Sequence, residues 1–195
     1  TNAHAIADEF RARGVPVIGG GIHPSMAPED TLRHFTAIVR GGVEGLWPEI
    51  LADLRGGTLK REYTGRPGSE FVAPRRALFA DSTYLKAGIV QTARGCPMGC
   101  RFCIVPGVYG AKLACKPAAD VVADIRAMDH ACYYFADENL LFADKTNREY
   151  LRTLLRALIA ARMPKFFFLA ALPFMIRDLD PETIDLLRRA GGRQV

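Results

Sequence analysis

The sequence is short of cysteine, histidine and tryptophan: its 195 residues include five Cys, four His and one Trp. Five thiols are too sparse, and odd in number, for a disulfide scaffold. No apolar run approaches the ~20 residues of a membrane-spanning helix; the longest, 166–174, is strand length. There is no block of five or six basic residues. With 26 Lys+Arg against 21 Asp+Glu the net charge is only +5, which does not favour a nucleic acid partner. The opening residues carry Asp8, Glu9, Arg11 and Arg13 at amphipathic spacing and do not read as a signal peptide. No repeat or low-complexity stretch is visible. What is present is 49% hydrophobic and 24% charged, the composition of a globular chain with a sizeable core. A cytoplasmic chain with reduced thiols is the expectation. The chain begins inside a helical pattern without Met and ends where a strand is about to start near Val195, so it reads as an internal piece of a longer protein.

Two stretches show alternating helix and strand patterns. In the first, Ala3, Ile6, Ala7 and Phe10 recur at helical spacing before Gly14, and the apolar run 15–18 closes in Gly19-Gly20-Gly21. A short helix over 30–35, a strand over 37–39 and a helix over 48–54 follow. Residues 1–57 thus read as the end of a doubly wound α/β domain. Residues 58–84, with Gly65, Pro67, Gly68 and Pro74, read as a linker. In the second stretch, 85–195, strands are expected at 88–92, 132–135 and 166–170. Helices are expected at 118–128, 148–161 and 181–190, the last capped by Asp180. Three such units point to a parallel sheet forming part of a (β/α) barrel.

The most informative segment is Arg94-Gly95-Cys96-Pro97-Met98-Gly99-Cys100-Arg101-Phe102-Cys103, which follows the first of these strands. Thiols at C-x₃-C-x₂-C on a Gly- and Pro-bearing loop can curl around one metal centre. Structural zinc wants four protein ligands, and so does an ordinary iron–sulfur cluster. With three, a cubane cluster keeps one iron open for another ligand. Cys115, twelve residues on, offers a fourth thiolate for a zinc knuckle, or else is a reduced bystander. Cys132, in an apolar strand, reads as a small core residue.

Cys96, Cys100, Phe102 and Cys103 match, position by position, the C-x₃-C-x-aromatic-C signature of the radical S-adenosylmethionine (SAM) superfamily, which this segment resembles. The resemblance implies that the three thiolates hold a [4Fe–4S] cluster whose open iron chelates SAM. Reduction then splits the sulfonium C–S bond to a 5′-deoxyadenosyl radical. It places Phe102 near the adenine, and Asp137-Glu138-Asn139, where relatives often have Asp-Asp-Asn, near the SAM ammonium. The front of the chain resembles the group that adds an amino-terminal cobalamin-binding domain, through 14–24, the Gly41-Gly42-Val43-Glu44-Gly45 stretch and Pro74-Arg75-Arg76. That implies cobalamin contacts at Gly19, Gly20, Gly21 and His23. The function so implied is hydrogen abstraction at an unreactive carbon of a small-molecule substrate, with methyl transfer or oxidative cyclisation, served by an electron donor such as flavodoxin or ferredoxin. The alternatives are a methylthiotransferase-type enzyme, whose front-domain cysteines are absent from 1–95, and a non-catalytic zinc or iron–sulfur module.

Overall fold

The structure, a computed structural model, describes residues 1–66, 71–79, 87–141, 145–169, Ala171 and 173–194. Its contacts divide into two compact units, Thr1–Val72 with Gly95–Lys112, and Ala73–Arg94 with Leu113–Val195.

The first unit opens on helix α1 (Asn2–Ala12), whose first turn is capped by the Thr1 hydroxyl. Strand β1 (Ile18–Gly20) leads into the short helices α2 (Ile22–Met26) and α3 (Pro28–His34). Then come β2 (Ala37–Arg40), α4 (Trp47–Gly56) and β3 (Glu62–Thr64). The three strands are parallel in the order β1-β2-β3, with Ile18 opposite Ala37 and Ile38 opposite Glu62. Ala37-Ile38-Val39 is apolar without interruption because it is the middle strand, covered on both faces. Ala37, Val39, Ile50 and Tyr63 form the core, with Ile18, Val43, Leu46 and Leu59 packed around them. The Tyr63 hydroxyl donates to Asp53 Oδ2 at 2.8 Å and accepts from the Lys60 N–H at 3.1 Å.

Two expectations are corrected here. Residues 58–84 are not all linker: 62–64 complete the front sheet, because Tyr63 fills its core while Glu62 and Thr64 face outward. Residues 67–70 and 80–84 of that segment lie outside the described residues. The glycine turn is also shorter than read. Gly19 and Gly20 are strand residues paired with Ile38 and Val39, and only Gly21, at φ +102°, makes the turn.

The second unit carries β4 (Gly88–Val90), β5 (Ala93–Arg94), β6 (Ala114–Cys115), β7 (Cys132–Phe135), β8 (Phe166–Leu169) and β9 (Gly192–Gln194). Strands β4-β7-β8-β9 form a parallel sheet in sequence order, and β5 and β6 form an antiparallel pair. The crossover helices are α6 (Ala118–Arg126), α7 (Lys145–Ala161) and α9 (Pro181–Arg189); helix α5 (Val105–Tyr109) belongs to the first unit, and α8 (Pro173–Arg177) follows β8. Right-handed crossovers in sequence order put α6, α7 and α9 on one face, as in a barrel wall. Tyr133, Phe135 and Phe167 pack together there, with ring centroids 4.9–5.7 Å apart. Ile89 and Tyr134 point the other way and are exposed, so the opposite face is apolar and open, like the interior of an incomplete barrel.

Asp180 caps α9 as expected, accepting from the Thr183 N–H at 3.0 Å and pairing with Arg152 at 2.8 Å. The strand expected to begin near Val195 is already formed by Gly192–Gln194; Val195 itself, like Ala170 at the expected end of β8, lies outside the described residues.

Candidate functional site

The cysteine loop is shaped by its glycines. Gly95 sits at φ +90°, and a Cβ there would run into the Lys112 carbonyl and come within 2.9 Å of Gly110 O, so any other residue is both strained and blocked. The Cys96 N–H donates to Gly110 O at 3.1 Å, tying the loop's two ends together, and Cys103 N–H donates to Cys100 O at 3.0 Å across a turn. Gly99, at φ +62°, sets that turn. Cys96 is buried, Cys100 and Cys103 are half-buried, and none of the five cysteines is in a disulfide. Around them Met98, Ile104 and above all Phe102, 89% exposed, present apolar surface to solvent. Among the described residues, no three cysteine sulfurs converge within 4.8 Å of one another, as one ion would need. A four-iron cubane takes one thiolate per iron, so three thiols on one loop are a donor set that fits such a cluster with one iron left open.

In the second unit, the strand ends on either side of the loop are fastened together. Thr92 C=O accepts from the Lys116 N–H at 2.7 Å and from the Tyr150 hydroxyl at 2.9 Å. Asp137 Oδ1 accepts from the N–H groups of Thr92 and Ala93, both at 2.7 Å, and Oδ2 accepts from the Thr92 hydroxyl at 2.8 Å. Burial outweighs these three donors and pushes the Asp137 carboxyl up to about 6. Asp137 thus anchors the residues that lead into Gly95. This contact between the ends of β4 and β7 joins residues 45 positions apart, and no local sequence signal marks it.

The rest of the expected acidic motif splits in two. Asn139 is buried; its Oδ1 accepts from the Leu141 N–H at 3.1 Å and its amide meets Met175 Sδ, so its side chain is committed within the fold. Glu138 is exposed and has no hydrogen-bond partner among the described residues. Of the three it is the side chain open to a ligand. Cys115 lies in β6, where burial, with the Asp137 charge adding to it, pushes the thiol up to about 11. A thiol held protonated is a poor fourth ligand. Cys132 takes its place in β7 opposite Phe166.

At the front, Gly20 and Gly21 are exposed while Gly19 is buried. A Cβ on Gly19 would press on the Phe35 ring at 2.8 Å. His23, in the first turn of α2, pairs with Asp30 at 3.0 Å. Ser25, which the sequence does not single out, donates to Gly21 O at 2.8 Å and accepts from the Gly41 N–H at 3.1 Å, joining the turns that follow β1 and β2.

No family model matches the chain. Over 163 residues (77% of the chain and 36% of the relative) it is 29% identical to a bacteriochlorophyllide d C-12(1)-methyltransferase of Chlorobaculum tepidum. Over 119 residues (56% and 26%) it is 36% identical to the C-8(2)-methyltransferase of the same organism. The chain thus spans about a third or less of the length of these relatives. Among solved structures, the radical SAM methyltransferase TsrM of Kitasatospora setae superposes with a TM-score of 0.73 at 19% identity, covering 98% of this chain and 43% of that one. The cobalamin-dependent radical SAM enzyme OxsB superposes at 0.70 and 17% identity, covering 96% and 32%. The fold is therefore shared with parts of TsrM and OxsB: a small parallel α/β sheet, then a parallel sheet in sequence order with crossover helices. In sequence the chain is thus similar to these two methyltransferases, and in fold to TsrM and OxsB.

Proposed function

We propose that the chain supplies the cluster- and SAM-binding part of a cobalamin-dependent radical SAM methyltransferase acting on an unreactive carbon of a small molecule. The observation that carries this reading is the loop of three free thiols following the first strand of a sequentially ordered parallel sheet. Two sequence relatives are methyltransferases, which favours methyl transfer over cyclisation; TsrM is solved with a [4Fe–4S] cluster and cobalamin bound. When bound, the cluster supplies the electron that cleaves SAM, and cobalamin a carrier for the methyl group.

The chain's own residues divide the remaining work. Cys96, Cys100 and Cys103 hold the cluster, with the apolar side chains of Met98 and Ile104 beside them in the chain. Phe102 offers its exposed ring to the adenine. Glu138 pairs with the SAM ammonium, while Asp137 and Asn139 fix the turn that presents it. Gly19, Gly20 and Gly21 let the cobalamin tail lie against backbone; His23, engaged by Asp30, stands beside them and is not aimed as a cobalt ligand. Among the described residues no helix is long and apolar enough to cross a membrane. With reduced thiols, this fits a cytoplasmic enzyme served by flavodoxin or ferredoxin.

Replacing Glu138 tests the SAM contact. Glu138→Gln should weaken SAM binding to the cluster-loaded chain by about tenfold, the worth of one charge-assisted hydrogen bond, at unchanged iron content. Equilibrium dialysis with labelled SAM reads this, and an unchanged affinity contradicts the role.

A further inference from the structure

Three of the chain's four histidines gather at one spot in the first unit, although they are 11 to 30 residues apart in sequence. His4 lies on α1, His23 on α2 and His34 at the end of α3. The His4 and His34 rings stack at 4.3 Å, and the His4 and His23 rings lie 5.6 Å apart. Each of the outer two is held by a carboxylate: His23 Nε2 is 3.0 Å from Asp30 Oδ2, and His34 Nδ1 is 2.8 Å from Asp8 Oδ2. One donor atom from each of His4, His23 and Asp30 lies within 4.8 Å of the other two. In a chain with so few imidazoles, such a gathering is not what a solvated helix surface produces by itself.

We propose that His4, His23 and Asp30 form a binding site for a divalent transition metal ion of the zinc class. Two imidazole nitrogens and a carboxylate oxygen are a donor set that suits Zn²⁺ and disfavours Mg²⁺ or Ca²⁺, which take oxygen ligands. Ligands of a tetrahedral Zn²⁺ at about 2.0–2.1 Å stand a little over 3 Å apart, so the His23–Asp30 spacing already suits two corners. The His4 donor atom, within 4.8 Å of both, supplies the third once an ion draws it in. The fourth corner opens to solvent, since His23 is exposed and its two fellow ligands only half-buried. His34, stacked on His4 and braced by Asp8, steadies the His4 ring from outside the ligand set.

The site also has a structural purpose. Helix α1 buries only Ala7, and Ile6 and Phe10 remain exposed. It is tied to α3 by polar contacts, the Asp8–His34 pair and the Arg11 guanidinium donating to Arg33 O at 2.9 Å. An ion shared by α1, α2 and α3 staples the first helix to the sheet-end turn that begins at Gly21.

The test is equilibrium dialysis of the cluster-loaded chain against Zn²⁺ under anaerobic conditions, with X-ray absorption at the zinc edge. One Zn²⁺ per chain should bind, with nitrogen and oxygen scatterers near 2.0–2.1 Å and no sulfur at about 2.3 Å. His4→Ala and Asp30→Asn should each lower the affinity by at least about tenfold, and Cys115→Ser should leave it unchanged. Zn²⁺ should raise the unfolding midpoint of the unaltered chain but not of His4→Ala, which separates loss of a ligand from loss of the fold. Sulfur in the zinc shell, or full affinity in both variants, overturns the proposal.

Discussion

Cys100→Ser should abolish iron and sulfide incorporation on anaerobic reconstitution, while Cys132→Ser should leave both unchanged. Three thiolates are the fewest that hold a four-iron cluster with one iron open, and a serine hydroxyl does not replace a thiolate at neutral pH. The effect is all-or-none because the loop offers no spare sulfur: Cys115 is held protonated within β6, and Cys132 belongs to β7, opposite Phe166. The substitution leaves the loop's own bonds alone. Cys103 N–H donates to the backbone carbonyl of residue 100, and Cys96 N–H to Gly110 O, whatever the side chain at 100. Iron and sulfide per folded chain are the readouts. Equal losses in the two variants contradict the assignment of the cluster ligands.

Asp137→Ala should cost about 3 kcal/mol of stability, since it strips acceptors from two backbone N–H groups and a hydroxyl at the residues leading into the loop. The carboxyl also carries a pH signature. Its folded-state value lies near 6, above the ordinary 3.8, so the folded chain holds this proton more tightly than the unfolded one. Stability from this group is therefore greatest below about pH 4, falls as pH rises towards 6, and is flat above. Urea unfolding across that window should show the decline in the unaltered chain and lose it in Asp137→Asn. A change within about 0.5 kcal/mol for Asp137→Ala, the range of ordinary surface substitutions, contradicts the anchoring role.

The reasons these features differ in legibility are physical. Strands 132–135 and 166–169 stand out because a run such as Phe166-Phe167-Phe168-Leu169 has no place in solvent, and Asp180 before Pro181 is a local capping signal. Glu62-Tyr63-Thr64 offers a single apolar residue to its sheet and resembles the loop around it, so β3 was hidden. The two-residue β5 and β6 are too short for any period to show. The three loop cysteines are legible as candidate cluster ligands because they are spaced along one loop. Asp137 and Asn139 are not, because what they do depends on Thr92 and Met175, far away in sequence. The histidine gathering is likewise invisible until α1, α2 and α3 fold together.

The most direct measurement is electron paramagnetic resonance of the reconstituted, reduced chain with and without SAM. An open iron at a three-cysteine cluster predicts that the cluster signal shifts when SAM is added, and that Cys100→Ser shows no signal at all. A signal indifferent to SAM in a folded, iron-loaded sample, or zinc in place of iron, contradicts a radical SAM site.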